Sequence, residues 1–166
     1  LLRCRPDRLR LNGLAPPVLG VAFDGAGLGP DGTLWGGEFI AVDEQGWTRV
    51  ASLRPFRLPG GEWAMREPRR SALGLLFAAY GADVLDRTDL APVAAFAEQE
   101  RRVLGAMLER GINAPVTSSV GRLFDAVASL CGLCQRAGWE GQAALALEGA
   151  LDPDARARVD EAKAVI

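Results

Sequence analysis

Histidine is absent from all 166 residues. That removes the commonest general base near neutral pH and the commonest transition-metal ligand. Chemistry on this chain therefore falls to carboxylates, backbone amides or groups brought by another segment. Cysteine is scarce: three occur, an odd number that argues against a secreted disulfide scaffold and for a reducing compartment. No apolar run reaches the roughly 18 residues of a membrane span, and Leu1-Leu2-Arg3-Cys4-Arg5-Pro6 lacks the apolar stretch of a signal peptide. The expected location is cytoplasmic, with no membrane partner. A basic excess is also missing: 19 Lys and Arg against 21 Asp and Glu leave a formal charge of −2, which speaks against nucleic acid as a partner. There is no initiating methionine, and the end falls in a charged helical pattern without a cap. The chain reads as excised from a longer one.

What is present is enough apolar material for one core, 49% hydrophobic against 24% charged. The reading is a single partial domain over 1–166, strand-rich over 15–60 and helical over 62–166. Apolar runs predict strands at Val18–Asp24, Leu34–Val42 and Trp47–Leu58, joined by short Gly-rich or polar turns as an antiparallel meander. Pro59-Gly60-Gly61 ends that half. Pro68 suits a first helical turn, and Leu73, Leu75, Leu76, Phe77 and Tyr80 form an expected buried stripe before Gly81. A second helix is expected over Pro92–Arg110, with Val93, Phe96, Val103, Leu104, Met107 and Leu108 inward and Gly111 as its breaker. Thr117-Ser118-Ser119 offers hydroxyl caps for a third, whose inward residues would be Leu123, Phe124, Val127 and Leu130. Two shorter helices are expected over Gly141–Leu151 and Pro153–Val165. Strands followed by helices indicate an α/β class.

The most chemically suggestive segment runs from Asp24 to Thr33, Asp-Gly-Ala-Gly-Leu-Gly-Pro-Asp-Gly-Thr. Glycines let backbone amides approach an anion without a Cβ in the way. Gly27 to Gly32 formally matches G-x-G-x-x-G, but a strand follows where the dinucleotide-binding version needs a helix. The segment therefore reads as a hairpin crown. Asp24 is a candidate to hold a metal ion or orient a phosphate-bound water, and an irregular turn with no ligand is the alternative. Cys131 and Cys134 form C-x-x-C without a second ligand pair or histidine and read as packing residues, with a redox pair or half of a zinc site as the alternative. Arg66, Arg69 and Arg70 read as solvated arginines at a helix start, with anion contact as the alternative. Asp125 sits among apolar neighbours, where a carboxylate without a partner is costly, so it reads as a residue with a job.

Four stretches together resemble the HypF family of carbamoyltransferases. They are Gly20 to Gly27 with Asp31-Gly32-Thr33-Leu34-Trp35-Gly36-Gly37-Glu38-Phe39; Leu53-Arg54-Pro55-Phe56-Arg57-Leu58-Pro59-Gly60-Gly61-Glu62 with Arg66 to Arg70; Asn113 to Ala128; and Trp139-Glu140-Gly141-Gln142-Ala143-Ala144 with Glu148. The strings W-G-G-E and G-R-L-F-D-A-V-A carry most of the specificity, and the order matches over nearly the whole chain. The resemblance implies part of a C-terminal domain similar to the threonylcarbamoyl-transferase (TsaD) family, an incomplete actin-like, sugar-kinase-like ATPase fold. It further implies use of carbamoyl phosphate and ATP, formation of carbamoyl adenylate, and transfer of the carbamoyl group to the C-terminal cysteine of a HypE-like acceptor protein. That product supplies the cyanide ligands of nickel–iron hydrogenases.

On the same basis, Asp24, Gly25 and Gly27 lie where the family binds nucleotide phosphates. Gly121 and Asp125 lie on the helix beside the nucleotide, with Asp125 able to accept hydrogen bonds from ribose hydroxyls. Gly141 lies on the loop over the nucleoside. Ala26 stands where the family commonly has threonine. The family's paired metal-binding histidines are expected before residue 1, so a divalent metal ion belongs to the full-length enzyme and no metal ligand is assigned here. The family's G-G-V-x-Q-N segment is expected after Ile166. No catalytic residue is assigned, and the fragment alone is expected to be inactive. The alternatives are a threonylcarbamoyl transferase acting on tRNA, against which the charge and the W-G-G-E and R-P-F strings speak, and a non-catalytic nucleotide-binding or partner-docking module.

Overall fold

The structure, a computed structural model, describes residues 15–152. Its sheet has five strands: β1 (Val18–Leu28), β2 (Leu34–Val42), β3 (Trp47–Ser52), β4 (Phe56–Arg57) and β5 (Val116–Thr117). β1 and β2 form an antiparallel hairpin, from Val18 opposite Val42 to Leu28 opposite Leu34. The other edge of β2 is shared. β3 pairs antiparallel with its second half, from Glu38↔Ser52 to Val42↔Trp47. β5 meets its first residue in parallel, Leu34↔Thr117, and carries β4 on its far side. The sheet is therefore mixed, and the second half of the chain contributes a strand that hydropathy patterning did not predict.

The third strand stops at Ser52 rather than Leu58. Pro55 has no N–H to give a ladder, and the chain re-enters the sheet as β4 against β5.

The helices are α1 (Pro68–Tyr80), α2 (Ala91–Ala94), α3 (Glu98–Arg110), α4 (Val120–Leu130) and α5 (Gln142–Gly149), with 3-10 turns at Gly61–Met65 and Ala82–Asp86. Leu73 and Leu76 of α1 pack with Val84, Val93, Phe96, Leu104 and Leu108 as the main apolar core. Each such side chain contributes roughly 1.5–3 kcal/mol on burial.

The helix expected over Pro92–Arg110 is broken after Ala94. Arg69 explains the break: it is buried rather than solvated, donates to the Ala95 carbonyl and stacks over the Phe96 ring at 4.1 Å. Ala97 is extended and starts α3, where Glu100 accepts the Ala97 N–H at 2.9 Å and Glu98 adds a second carboxylate to the positive end of the helix. Gly111, left-handed at φ 68°, ends α3 as expected.

Two expected apolar stripes differ. Tyr80 and Val103 are exposed. In α4 the buried face is Arg122, Asp125, Ala126, Ala128 and Ser129, while Phe124 and Val127 are exposed. α4 packs against α1, with Leu130 on the main core and Ala128 against Cys134 and Ala143, while Leu123, Phe124 and Val127 line a cavity of about 610 Å3 with Leu145 and Leu151. The helix expected over Pro153–Val165 lies outside the described residues.

Candidate functional site

The glycine-rich segment is not one crown. Phe23 opposes Gly37 and Gly27 opposes Trp35, so four steps along β1 face two along β2. The excess forms a bulge of Asp24, Gly25 and Ala26, a device that bends a strand and re-aims its backbone. The hairpin turn comes later, with the Gly29 N–H donating to the Thr33 carbonyl at 2.8 Å and the Gly32 N–H to the Gly29 carbonyl at 3.1 Å. Gly27 is back in the ladder between the two.

The bulge rests on the amino terminus of α4. Ser119 caps that helix, its Oγ accepting from the Arg122 N–H at 3.2 Å. The same hydroxyl lies 3.0 Å from the Asp24 carbonyl and contacts the Gly25 carbonyl. Two residues on, a Cβ at Gly121 would meet Gly25 Cα at 2.8 Å. β2 is drawn into the same contact: a Cβ at Gly36 would lie 2.6 Å from the Asp24 carbonyl oxygen, and one at Gly37 would lie 2.3 Å from the Ser118 carbonyl oxygen. Three backbones thus touch where Gly25, Gly36, Gly37 and Gly121 leave no side chain between them.

The next residue of β2, Glu38, is buried to 1% relative exposure. It accepts from the Gly36 N–H at 3.2 Å, the Gly37 N–H at 3.3 Å, Arg49 Nη1 at 3.2 Å and the Ser118 hydroxyl. Burial pushes its carboxyl up, but the hydrogen bonds from Ser118, Gly36, Gly37 and Arg49 outweigh it and hold the group below the usual range. Arg49 also reaches Asp31 at 2.7 Å and stacks over the Trp35 ring at 4.3 Å. Asp31 accepts from the Thr33 hydroxyl and N–H and from Trp35 Nε1, and the Thr33 bonds hold its carboxyl down to about 2.

Asp125 lies one turn beyond Gly121 on the same helix face, 7% exposed and 2.9 Å from Arg122 Nη1. The contact is a charge pair rather than a well-aligned hydrogen bond, because Asp125 Oδ2 and Arg122 Nε are both buried without a partner of good geometry. Burial outweighs the arginine and raises the Asp125 carboxyl to about 6. Arg122 Nη1 is also 3.0 Å from Met65 Sδ. Cys134, buried nearby, has its thiol pushed up by burial and then by Asp125, whereas Cys131 is exposed rather than packed.

Gly141 caps α5 at φ 84° and is exposed. Its neighbour Glu140 places Oε1 at 3.9 Å from where a Cβ on Gly25 would sit.

The structure therefore brings Asp24, Gly25 and Gly121 into one contact, sets the Glu140-Gly141 loop beside it and places Asp125 one turn below, turned toward Arg122. Gly27 flanks the bulge. Sequence reasoning missed Glu38, Ser118, Arg49 and the second role of Ser119. One signal was available for Glu38: a lone carboxylate in the middle of an otherwise apolar strand. Asp24 is a single exposed carboxylate, and among the described residues no group of three His, Cys, Asp or Glu is assembled to hold a metal ion. These residues do not fit a resident metal by themselves.

Residues 20–164 match the family model described as carbamoyltransferase, Kae1-like domain, second subdomain. The chain is 40% identical over 149 residues to carbamoyltransferase HypF of Synechocystis, covering 82% of this chain and 19% of that protein. It is 47% identical over 138 residues to a carbamoyltransferase HypF homolog of Cupriavidus necator, covering 81% and 34%. Its fold is similar to that of full-length HypF in the phosphate- and nucleotide-bound form, with TM-score 0.72, 36% identity, and coverage of 84% of this chain and 18% of that one. HypF of T. kodakarensis gives TM-score 0.68 at 33% identity, with 84% and 19% covered. The chain spans between 18% and 34% of the length of these proteins. With the match running through the bulge, the W-G-G-E strand and α4, this chain belongs to the HypF carbamoyltransferase family, as the second subdomain of its Kae1-like domain.

Proposed function

We propose that this chain forms one wall of a nucleotide site in an ATP-dependent carbamoyltransferase of hydrogenase maturation, with an actin-like, sugar-kinase-like arrangement completed by other parts of the full-length protein. The observation that carries the reading is the contact of the Asp24–Ala26 bulge with the capped amino terminus of α4 at Gly121. A helix amino terminus beside a glycine-rich backbone favours phosphate, because unpaired N–H groups and the helix dipole act in the same direction. Membership of a family with a phosphate- and nucleotide-bound relative supports it.

In this reading the Asp24, Gly25 and Gly27 backbone and the first turn of α4 hold phosphates. Asp125, released from Arg122, accepts from the ribose hydroxyls, and Gly141 lets its loop close over the nucleoside. The chain's contribution is positional. The acceptor is the C-terminal cysteine of a HypE-like partner. Its thiolate attacks the carbonyl of carbamoyl adenylate, a C–S bond forms, and the C–O bond to the phosphate of AMP breaks. A divalent metal, where the full-length enzyme uses one, would be held by residues outside this chain. No helix among the described residues is long and apolar enough to cross a membrane; a cytoplasmic setting is part of the proposed reading.

Calorimetry tests the reading. The full-length protein is expected to bind ATP stoichiometrically, and the 166-residue chain alone weakly or not at all. Full-length protein that binds ATP with unchanged affinity after Asp125→Ala and Gly121→Val would overturn it.

A further inference from the structure

We infer that Glu38 is a positioning residue for phosphate recognition: its buried carboxylate sets the height of the Asp24–Ala26 bulge over the amino terminus of α4. The inference rests on the nucleotide reading above and assigns the part of that site that no phosphate-facing residue can supply, its rigidity.

Where β1 leaves the ladder, Gly36 of β2 faces the interruption, and a buried N–H without a partner is costly. Glu38 takes the Gly36 N–H and the Gly37 N–H with its Oε1. The same oxygen receives the Ser118 hydroxyl, and the next residue, Ser119, contacts the bulge carbonyls of Asp24 and Gly25. Glu38, the adjacent Ser118 and Ser119, and their hydrogen bonds thus connect β2 to the bulge beside the glycine contact.

Its second oxygen is held by Arg49, which is itself held by Asp31 and stacked on Trp35, so the hairpin turn is tied to the same node. An aliphatic residue at this strand position would fill the space without the several kcal/mol of ion desolvation, but it would leave the Gly36 N–H and the Ser118 hydroxyl unpaired. A carboxylate is the one side chain that accepts from four donors at once. A polar network this fully satisfied fixes geometry more than it adds stability.

The test uses the full-length protein, with ATP and adenosine as probes in calorimetry and hydrogen exchange at the bulge. Glu38→Gln keeps the shape but loses the charge that Arg49 needs. It is expected to weaken ATP binding about tenfold, the scale of one charge-assisted hydrogen bond, while adenosine binding changes less than about twofold. Amides of Gly25 to Gly27 should exchange faster. Ser118→Ala, a milder change that keeps the Glu38–Arg49 pair, should show the same selectivity at about threefold. Leu73→Ala, which loosens the distant core, should shift neither ratio.

Equal loss of ATP and adenosine in both variants would make Glu38 a merely structural residue and overturn the inference. So would unchanged binding with unchanged bulge exchange. Wild-type protein that binds neither probe would remove the nucleotide reading and this inference with it, an outcome distinct from a wild-type protein that binds ATP and is indifferent to Glu38.

Discussion

The helical lobe and the strand–helix junction are built on opposite principles. In the lobe, Leu73, Val93, Phe96, Leu104 and Leu108 are all at or below 3% exposure and interdigitate as large apolar side chains. In the junction, Gly25, Gly36, Gly37 and Gly121 bring backbones into contact, and the buried side chains between them are Glu38, Ser118 and Ser119. The first arrangement gains free energy from the area it removes from water. The second gains little in that way and instead specifies where a few polar backbone groups stand. Stability is concentrated in one region and geometric information in the other.

Truncating the lobe should produce the largest stability change. Leu73→Ala is expected to cost about 3 kcal/mol in denaturant unfolding while leaving nucleotide affinity of the folded protein unchanged. Adding a Cβ to the junction should do the reverse. Gly121→Val would drive a side chain into Gly25 Cα, and is expected to weaken ATP binding at least about 100-fold in calorimetry for a stability loss of about 1–3 kcal/mol.

Asp125 sharpens the contrast through pH. Its folded-state carboxyl stands at about 6 against an ordinary 3.8, so between those values the folded chain holds a proton that the unfolded chain releases. Its contribution to stability is therefore greatest below about pH 4 and is lost as pH rises to about 6, by an amount on the order of 1–2 kcal/mol after allowance for solvent screening. Asp125→Asn should flatten that part of the stability profile. Nucleotide affinity should run the other way, falling below about pH 6 as the carboxylate that accepts from ribose becomes protonated. The smallest effect belongs to the lobe surface, where Arg102 and Glu98 pair while 78% and 67% exposed. Arg102→Ala should cost under about 0.5 kcal/mol by thermal unfolding.

Much of the fold was legible. β2 runs over the predicted Leu34–Val42, α1 starts at Pro68 and stops before Gly81, and Ser119 caps α4 as its hydroxyl suggested. These features depend on local chemistry: strand propensity, a proline at a first turn, a side chain accepting from an amide three residues on. The misreadings share a different cause. Arg69 looked solvated because arginine usually is, yet Phe96 and the Ala95 carbonyl, both distant in sequence, bury and satisfy it. Phe124 and Val127 looked like core because they are apolar, yet the face of α4 that tertiary contacts bury carries Arg122, Asp125, Ala126, Ala128 and Ser129.

The candidate site divides along the same line. Glycine content and the isolated Asp24 and Asp125 marked the participants. The split of one glycine run into a bulge and a turn, and the convergence of both with Glu38, depend on strand register.

By itself the sequence determined the class of the chain, the order and most of the ends of its elements, the absence of histidine chemistry, and the family to which its motifs point. Local propensities and residue inventories are properties of short stretches, and they survive without a partner. Only the tertiary structure decided that Glu38 is the node beneath the bulge, that Ser119 serves both a helix and a strand, and that burial pushes the Asp125 carboxyl up to about 6. Each of those depends on groups 80 to 95 residues apart meeting, or on a carboxylate being closed off from water, and burial and contact exist only once the chain has folded.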